Sequence, residues 1–222
     1  MPRISSAASL PWYRQLLSRV LDGLLWKAIG IPLFTGIFFW AYFSILHRTS
    51  VQPTIMPLVF MDDWVPFTPM AFPAYASLWF YVSLPPTFQA GLKPLIHYGV
   101  WIALLCMFCL GCFWLLPTAV PVPDIDWSLH PEMAFIKSLD ASGNACPSLH
   151  VASAVFSFFW LRAQFLAIRS PAWLQGVNGV HCVAIVWSTM ATRQHVALDV
   201  LAGIVVGAGF AWLSMRHARR LI

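Results

Sequence analysis

The chain has 222 residues, 59% of them hydrophobic and only 9% charged, and its mean hydropathy is +0.73. Soluble domains run near about 45–50% apolar and about 25% charged, so this composition excludes a water-soluble globular fold. The net charge of +5 raises nucleic acid as a partner. However, the cations are scattered between long uncharged stretches and never interleave with aromatics as in a strand-binding groove, which argues against it.

The N-terminal stretch carries Arg3, Arg14, Arg19 and Lys27 among Leu, Trp and Val. It lacks the early apolar core and small-residue cleavage site of a signal peptide. Residues 1–27 are therefore predicted to form a basic segment, with an interfacial helix from Leu10 to Trp26. A spanning helix needs about 20 apolar residues, and six nearly uncharged stretches of the chain are each expected to hold a crossing. The first is Ala28 to Leu46, free of Asp, Glu, Lys and Arg. The second is about Phe72 to Leu84, inside an uncharged but proline-broken region. The third is Leu95 to Leu116, and the fourth begins at Pro147 and ends at Leu161. Ser170 to Thr192 is the fifth, and Val196 to Met215 the sixth, with Asp199 as its one internal charge. The expected architecture is all-α: a membrane domain over residues 28–215 and a basic tail over residues 216–222.

Five cysteines give no paired framework. Cys106, Cys109 and Cys112 mimic part of an iron–sulfur spacing, but without a fourth ligand nearby they read as small hydrophobes packed in a helix. With six spans, one side holds Arg3, Arg14, Arg19, Lys27, Lys93, Arg162, Arg169, Arg216, Arg219 and Arg220. The other side holds Arg48, Lys137 and Arg193, and every acid except Asp22. Counting Lys and Arg by side makes both termini cytoplasmic and the acidic loops external. The loop from Pro117 to Pro147, about 30 residues long, is of a length that is usually functional.

Polar groups at membrane depth are costly and default to functional candidates. Two clusters fall on the outer side. In Asn144-Ala145-Cys146-Pro147-Ser148-Leu149-His150, Pro147 suits a first helical position. The helix-end N–H groups and the Ser148 hydroxyl would then form an anion site. In Thr192-Arg193-Gln194-His195-Val196-Ala197-Leu198-Asp199, His195 and Asp199 share a helix face. Asp199 can fix the tautomer of His195 and leave its other nitrogen as nucleophile or base. Arg193 adds a permanent charge suited to phosphate. His150, His195 and Asp199 could also bind zinc or iron, but Arg193 and the helix-end anion site favour phosphate over a cation. His47, His97, His130, His181 and His217 read as interfacial residues. Gly203-x3-Gly207 reads as a close helix contact.

The pairing of Pro147-Ser148-Leu149-His150 with His195-x3-Asp199, about 45 residues later, resembles the type 2 phosphatidic acid phosphatase superfamily. It is similar in particular to the branch that includes inositol phosphorylceramide synthases, because Leu149 replaces the family's Gly. The likeness runs from about Asp62 to Ala211. It implies His195 as nucleophile, Asp199 as its orienting partner, His150 as acid to the leaving group, and Ser148 at the phosphate. Two motifs depart from the pattern. Ser188-Thr189 stand where Ser-Arg opens the third motif, and Leu115 and Val122 stand where the first motif carries Lys and Arg. Arg193 and Lys137 are the candidate replacements.

The resemblance therefore implies a membrane enzyme that removes phosphate from a lipid phosphate or pyrophosphate at the outer face through a phosphohistidine. That scheme needs no metal or cofactor, and its partners are the lipid substrate and the bilayer. The alternatives are transfer of a phosphorylated headgroup to another alcohol, and a non-catalytic lipid-phosphate binding or transport protein. A small six-span chain fits a bacterial inner membrane, with the site facing the periplasm.

Overall fold

A computed structural model describes residues 10–47, 52–130 and 143–218. The chain is mostly helical. Helix α1 (Trp12–Leu21) follows an extended Pro11 and packs Trp12 and Leu16 on the bundle. The chain then turns at Gly23, whose φ of 65° is one that glycine adopts without a Cβ penalty.

Helix α2 (Leu24–Leu46) begins earlier than the uncharged stretch suggests, because Lys27 is accommodated within its first turn. Lys27 is the one buried residue of α2. Its ammonium donates to the carbonyl oxygens of Arg19 and Gln89, which removes the penalty for placing a lysine there. Elsewhere α2 presents large apolar side chains outwards, with Trp40 73% exposed, as expected of a lipid-facing surface.

Two short helices, α3 (Phe72–Ala76) and α4 (Leu78–Thr87), meet at Ser77. Then come α5 (Leu92–Leu115), α6 (Leu149–Ala167), α7 (Ala172–Ala191) and α8 (Ala197–Ala218). Among the described residues four helices are long and apolar enough to cross a membrane: α2, α5, α6 and α8. The other two predicted crossings correspond to the α3–α4 pair and to α7. The latter carries Gln175, Asn178, His181, Ser188 and Thr189 along its length.

Helix α6 is the centre of the bundle. Its Phe156 and Trp160 pack with Leu105, Cys109 and Phe113 of α5 and Ala211 of α8. Its Val155 and Leu161 pack with Tyr81 of α4 and Ile185 of α7. Cys106 and Cys109 are buried in this packing, and all five cysteines are free thiols.

Polar groups between the helices find partners. The indole N–H of Trp160 donates to Ser214 Oγ at 3.0 Å, and the Tyr81 hydroxyl donates to Asn178 Oδ1 at 2.7 Å. His97 and His181, expected to be interfacial, each reach a partner on a neighbouring helix. A ring nitrogen of His97 is 3.0 Å from the Ser214 carbonyl oxygen, and one of His181 is 2.8 Å from Ser77 Oγ.

Glycine sets how closely α6 and α8 approach. A Cβ on Gly203 would lie 2.6 Å from the Ser148 carbonyl oxygen, and one on Gly207 would collide with the Ala152 backbone. Among lipid-facing helices, apolar burial alone gives little drive to associate, so such backbone proximity carries much of the packing. Gly209, on the same helix, has nothing within 4 Å of its Cβ position. Gly207→Ala is therefore expected to lower the melting temperature in detergent by several degrees, since overpacking costs about 1–3 kcal/mol. Gly209→Ala should leave it unchanged or raise it slightly. Equal responses to the two substitutions in a thermal-shift measurement would contradict this packing.

Candidate active site

The site is built where the N-termini of α6 and α8 lie side by side. A two-residue parallel ladder, β1 (Thr54–Ile55) with β2 (Thr118–Ala119), braces the loop that leads into α6. Thr118 accepts the Ala145 N–H on its carbonyl oxygen at 3.2 Å and the Cys146 N–H on its hydroxyl at 2.8 Å. The Cys146–Pro147 peptide bond is cis. Helix α6 starts at Leu149, two residues later than Pro147 at a first helical position would give. Ser148 is the N-cap, its hydroxyl accepting from the Val151 N–H at 3.3 Å; serine is among the preferred residues there. The Ser148 N–H donates to the Asp199 carbonyl oxygen at 2.9 Å, which ties the two helix ends together.

The turn from α7 into α8 presents His195. The N–H groups of Gln194 and His195 both donate to the Thr189 carbonyl oxygen, at 3.0 and 3.1 Å. This doubled bond needs a reversed backbone, supplied by Arg193 at φ 55°, a region costly for a side-chain-bearing residue and often found at functional sites. His195 Nδ1 lies 2.9 Å from Asp199 Oδ2, and the two residues are 7% and 0% exposed. The predicted i,i+4 pairing is therefore present. With Nδ1 engaged, Nε2 is the ring nitrogen left for chemistry.

His150 faces this pair across the helix junction, its ring centroid 5.7 Å from that of His195. It is held between aromatic rings. Tyr75 stacks on it at 4.6 Å, and Trp79 meets it edge-on at 5.7 Å. The Nε2 atom of His150 is buried and has no hydrogen-bond partner among the described residues. Burial, and after it the Asp199 carboxylate, push the Cys146 thiol up from its ordinary value. That direction disfavours the thiolate, the nucleophilic form of a cysteine.

The structure thus brings together His150, His195, Asp199 and Ser148, with Arg193 half-buried in the same turn. Lys137 lies outside the described residues. Ser188 and Thr189 return their hydroxyls to the carbonyl oxygens of Ile185 and Val186 in their own helix. Leu115 and Val122 are 76% and 85% exposed, so neither contributes a polar group to the site.

Against this geometry, a family model described as the PAP2 superfamily (type 2 phosphatidic acid phosphatases) matches residues 99–222, more than half the chain. The chain belongs to the PAP2 superfamily. No curated protein and no solved structure matches it significantly. The PAP2 match covers α6, α7 and α8 and so contains both histidines and Asp199. It stops short of three residues that sequence reasoning did not place at the site. Tyr75 and Trp79 come from the α3–α4 pair. Asp62, 4% exposed, accepts the Ala197 N–H on Oδ1 at 2.7 Å. The four-residue spacing of Tyr75 and Trp79 was a local signal that they share a face. No local signal links Asp62 to Ala197.

If Trp79 covers His150, its removal exposes the ring. Trp79→Ala is expected to raise the rate of His150 acylation by diethylpyrocarbonate several-fold, read by peptide mass spectrometry. Exposed His47 should be unchanged. An unaltered His150 rate would show that Trp79 is not its cover.

Proposed function

We propose that the chain is a lipid-phosphate phosphatase that works through a phosphohistidine on His195. Membership of the PAP2 superfamily supports a phosphatase-type activity on lipid phosphate. The observation that carries the finer reading is His195 Nδ1 held by Asp199 at 2.9 Å while the unpartnered His150 Nε2 stands across the same junction.

In the first step His195 Nε2 attacks phosphorus and the bond from phosphorus to the lipid oxygen breaks. Protonated His150 gives its proton to that oxygen, and the lipid alcohol leaves. In the second step neutral His150 takes a proton from water. The hydroxide attacks phosphorus, the N–P bond breaks, and phosphate departs. Asp199 stabilises the positive charge that His195 acquires. Arg193 and the first-turn N–H groups of α6 hold the phosphate oxygens, with Lys137 as a further cation from the outer loop. These residues need no metal for the scheme.

In this reading the α3–α4 pair and α7 join the four long helices as crossings. Both termini lie in the cytoplasm and the site opens outwards, to the periplasm in a bacterium. The N-terminal segment lies at the interface, and the substrate arrives sideways from the bilayer. Leu149 in Pro147-Ser148-Leu149-His150 favours one second reading, headgroup transfer to an alcohol, which differs only in what accepts phosphorus in the second step.

The test is phosphate release by purified protein from phosphatidate, lysophosphatidate and a polyprenyl pyrophosphate in the presence of EDTA. His195→Ala and His150→Ala should each lower turnover by at least about 10²–10⁴-fold, the usual worth of a positioned acid or base. A phosphate ester with a good leaving group needs no proton in the first step. His150→Ala should then accumulate acid-labile, base-stable phosphohistidine from such an ester, and His195→Ala should not. New phospholipid formed on adding inositol, glycerol or a ceramide would move the assignment to headgroup transfer. Lipid binding without turnover in the parent would make the protein a binder.

A further inference from the structure

Asp62 lies in a 3-10 turn, Asp62–Trp64, outside the region matched by the family model. It is buried, and both carboxylate oxygens are engaged. Oδ2 accepts the Val59 N–H at 2.8 Å, and the Asp62 N–H donates to the Val59 carbonyl oxygen at 2.8 Å. The loop around Asp62 is thereby closed on itself. Oδ1 is left to accept the Ala197 N–H at 2.7 Å, across 135 positions of sequence. Ala197 is the first residue of α8 and stands midway between His195 and Asp199.

The first N–H groups of a helix have no partner within it, and a carboxylate there is favoured both as a cap and by the helix dipole. Caps are normally supplied by the residue just before the helix; that position here is Val196, which has no side-chain acceptor. The cap is instead brought in from a separate loop.

We propose that Asp62 is a positioning residue for the histidine–aspartate pair. By gripping the amide midway between them it fixes the first turn of α8, and so the direction in which His195 Nε2 points. The inference rests on the phosphohistidine reading for its effect on rate, but its structural half stands apart from that reading.

Two measurements on the full-length protein in detergent separate the halves. The first is amide hydrogen exchange followed by mass spectrometry on parent, Asp62→Leu and Asp62→Asn. Asp62→Leu should speed exchange in peptides covering residues 194–203 while those from α5 and the middle of α7 keep the parental rate. Asp62→Asn retains one carbonyl oxygen for Ala197 and should change exchange less. The second is steady-state kinetics on whichever lipid phosphate the parent hydrolyses. Asp62→Leu should lower kcat about 10- to 100-fold, the scale of a misplaced reacting group, with KM within about twofold. Asp62→Asn should recover most of that loss.

Unchanged exchange at residues 194–203, or faster exchange throughout the bundle, would overturn the proposal. So would a change in KM with kcat intact. If Asp62→Leu does not fold, Asp62→Ala, which also removes the acceptor, carries the same comparison: a local rise in exchange and a several-fold drop in kcat support the proposal, and parental values for both refute it. A parent that turns over no lipid phosphate would sink the phosphatase reading alone, while exchange would still decide whether Asp62 holds the turn.

Discussion

The contact on which the rest depends is backbone against backbone, where Ser148 meets Asp199 and Gly203. The Ser148 N–H donates to the Asp199 carbonyl oxygen, and the Ser148 carbonyl oxygen occupies the space that a Cβ on Gly203 would need. Main-chain atoms have few ways to move, so this junction fixes α6 relative to α8 more tightly than interdigitated side chains would. Both histidines hang from it, one within two residues of Ser148 and the other four residues before Asp199. Their separation is therefore a property of the helix crossing, with little left to rotamer choice.

Around that junction the two halves of the chain divide the work. The part matched by the family contributes the nucleophile candidate, its carboxylate partner and the facing histidine. The part before it contributes the surroundings: Asp62 at the end of α8, and Tyr75 and Trp79 about His150. An environment of this kind governs how wet the histidines are and how firmly they are aimed. Reaction type can thus stay constant in a family while access and precision vary with the covering segments.

Much of this was legible in the sequence, for identifiable reasons. Uncharged runs between scattered cations marked the helices, because a charge at membrane depth must be explained. The His195–Asp199 pair was legible because its partners stand four residues apart at the entry to one helix, Asp199 in its first turn and His195 just before it. The boundaries shifted where a polar residue found a partner that the local pattern does not show. Lys27 enters α2 because the carbonyl oxygens of Arg19 and Gln89 receive it, and Ser148 moves the start of α6 by acting as its cap. His97 and His181 read as interfacial because their partners, Ser214 and Ser77, are remote in sequence. Asp62 was the hardest to find: its partner is a main-chain N–H, which every residue but proline has, so no residue type at position 197 could have marked it.

The position of α8 in the chain has a consequence for biosynthesis. A membrane protein is inserted from its N-terminus, and here the nucleophile candidate and its carboxylate lie in or beside α8, which follows the other described helices in the chain. Asp62, Tyr75, Trp79 and His150 are all synthesised before His195. A nascent chain halted before residue 195 would hold a cap with no helix to cap and a histidine with no facing partner. Whatever chemistry the finished protein performs on its own membrane cannot begin until α8 has been made.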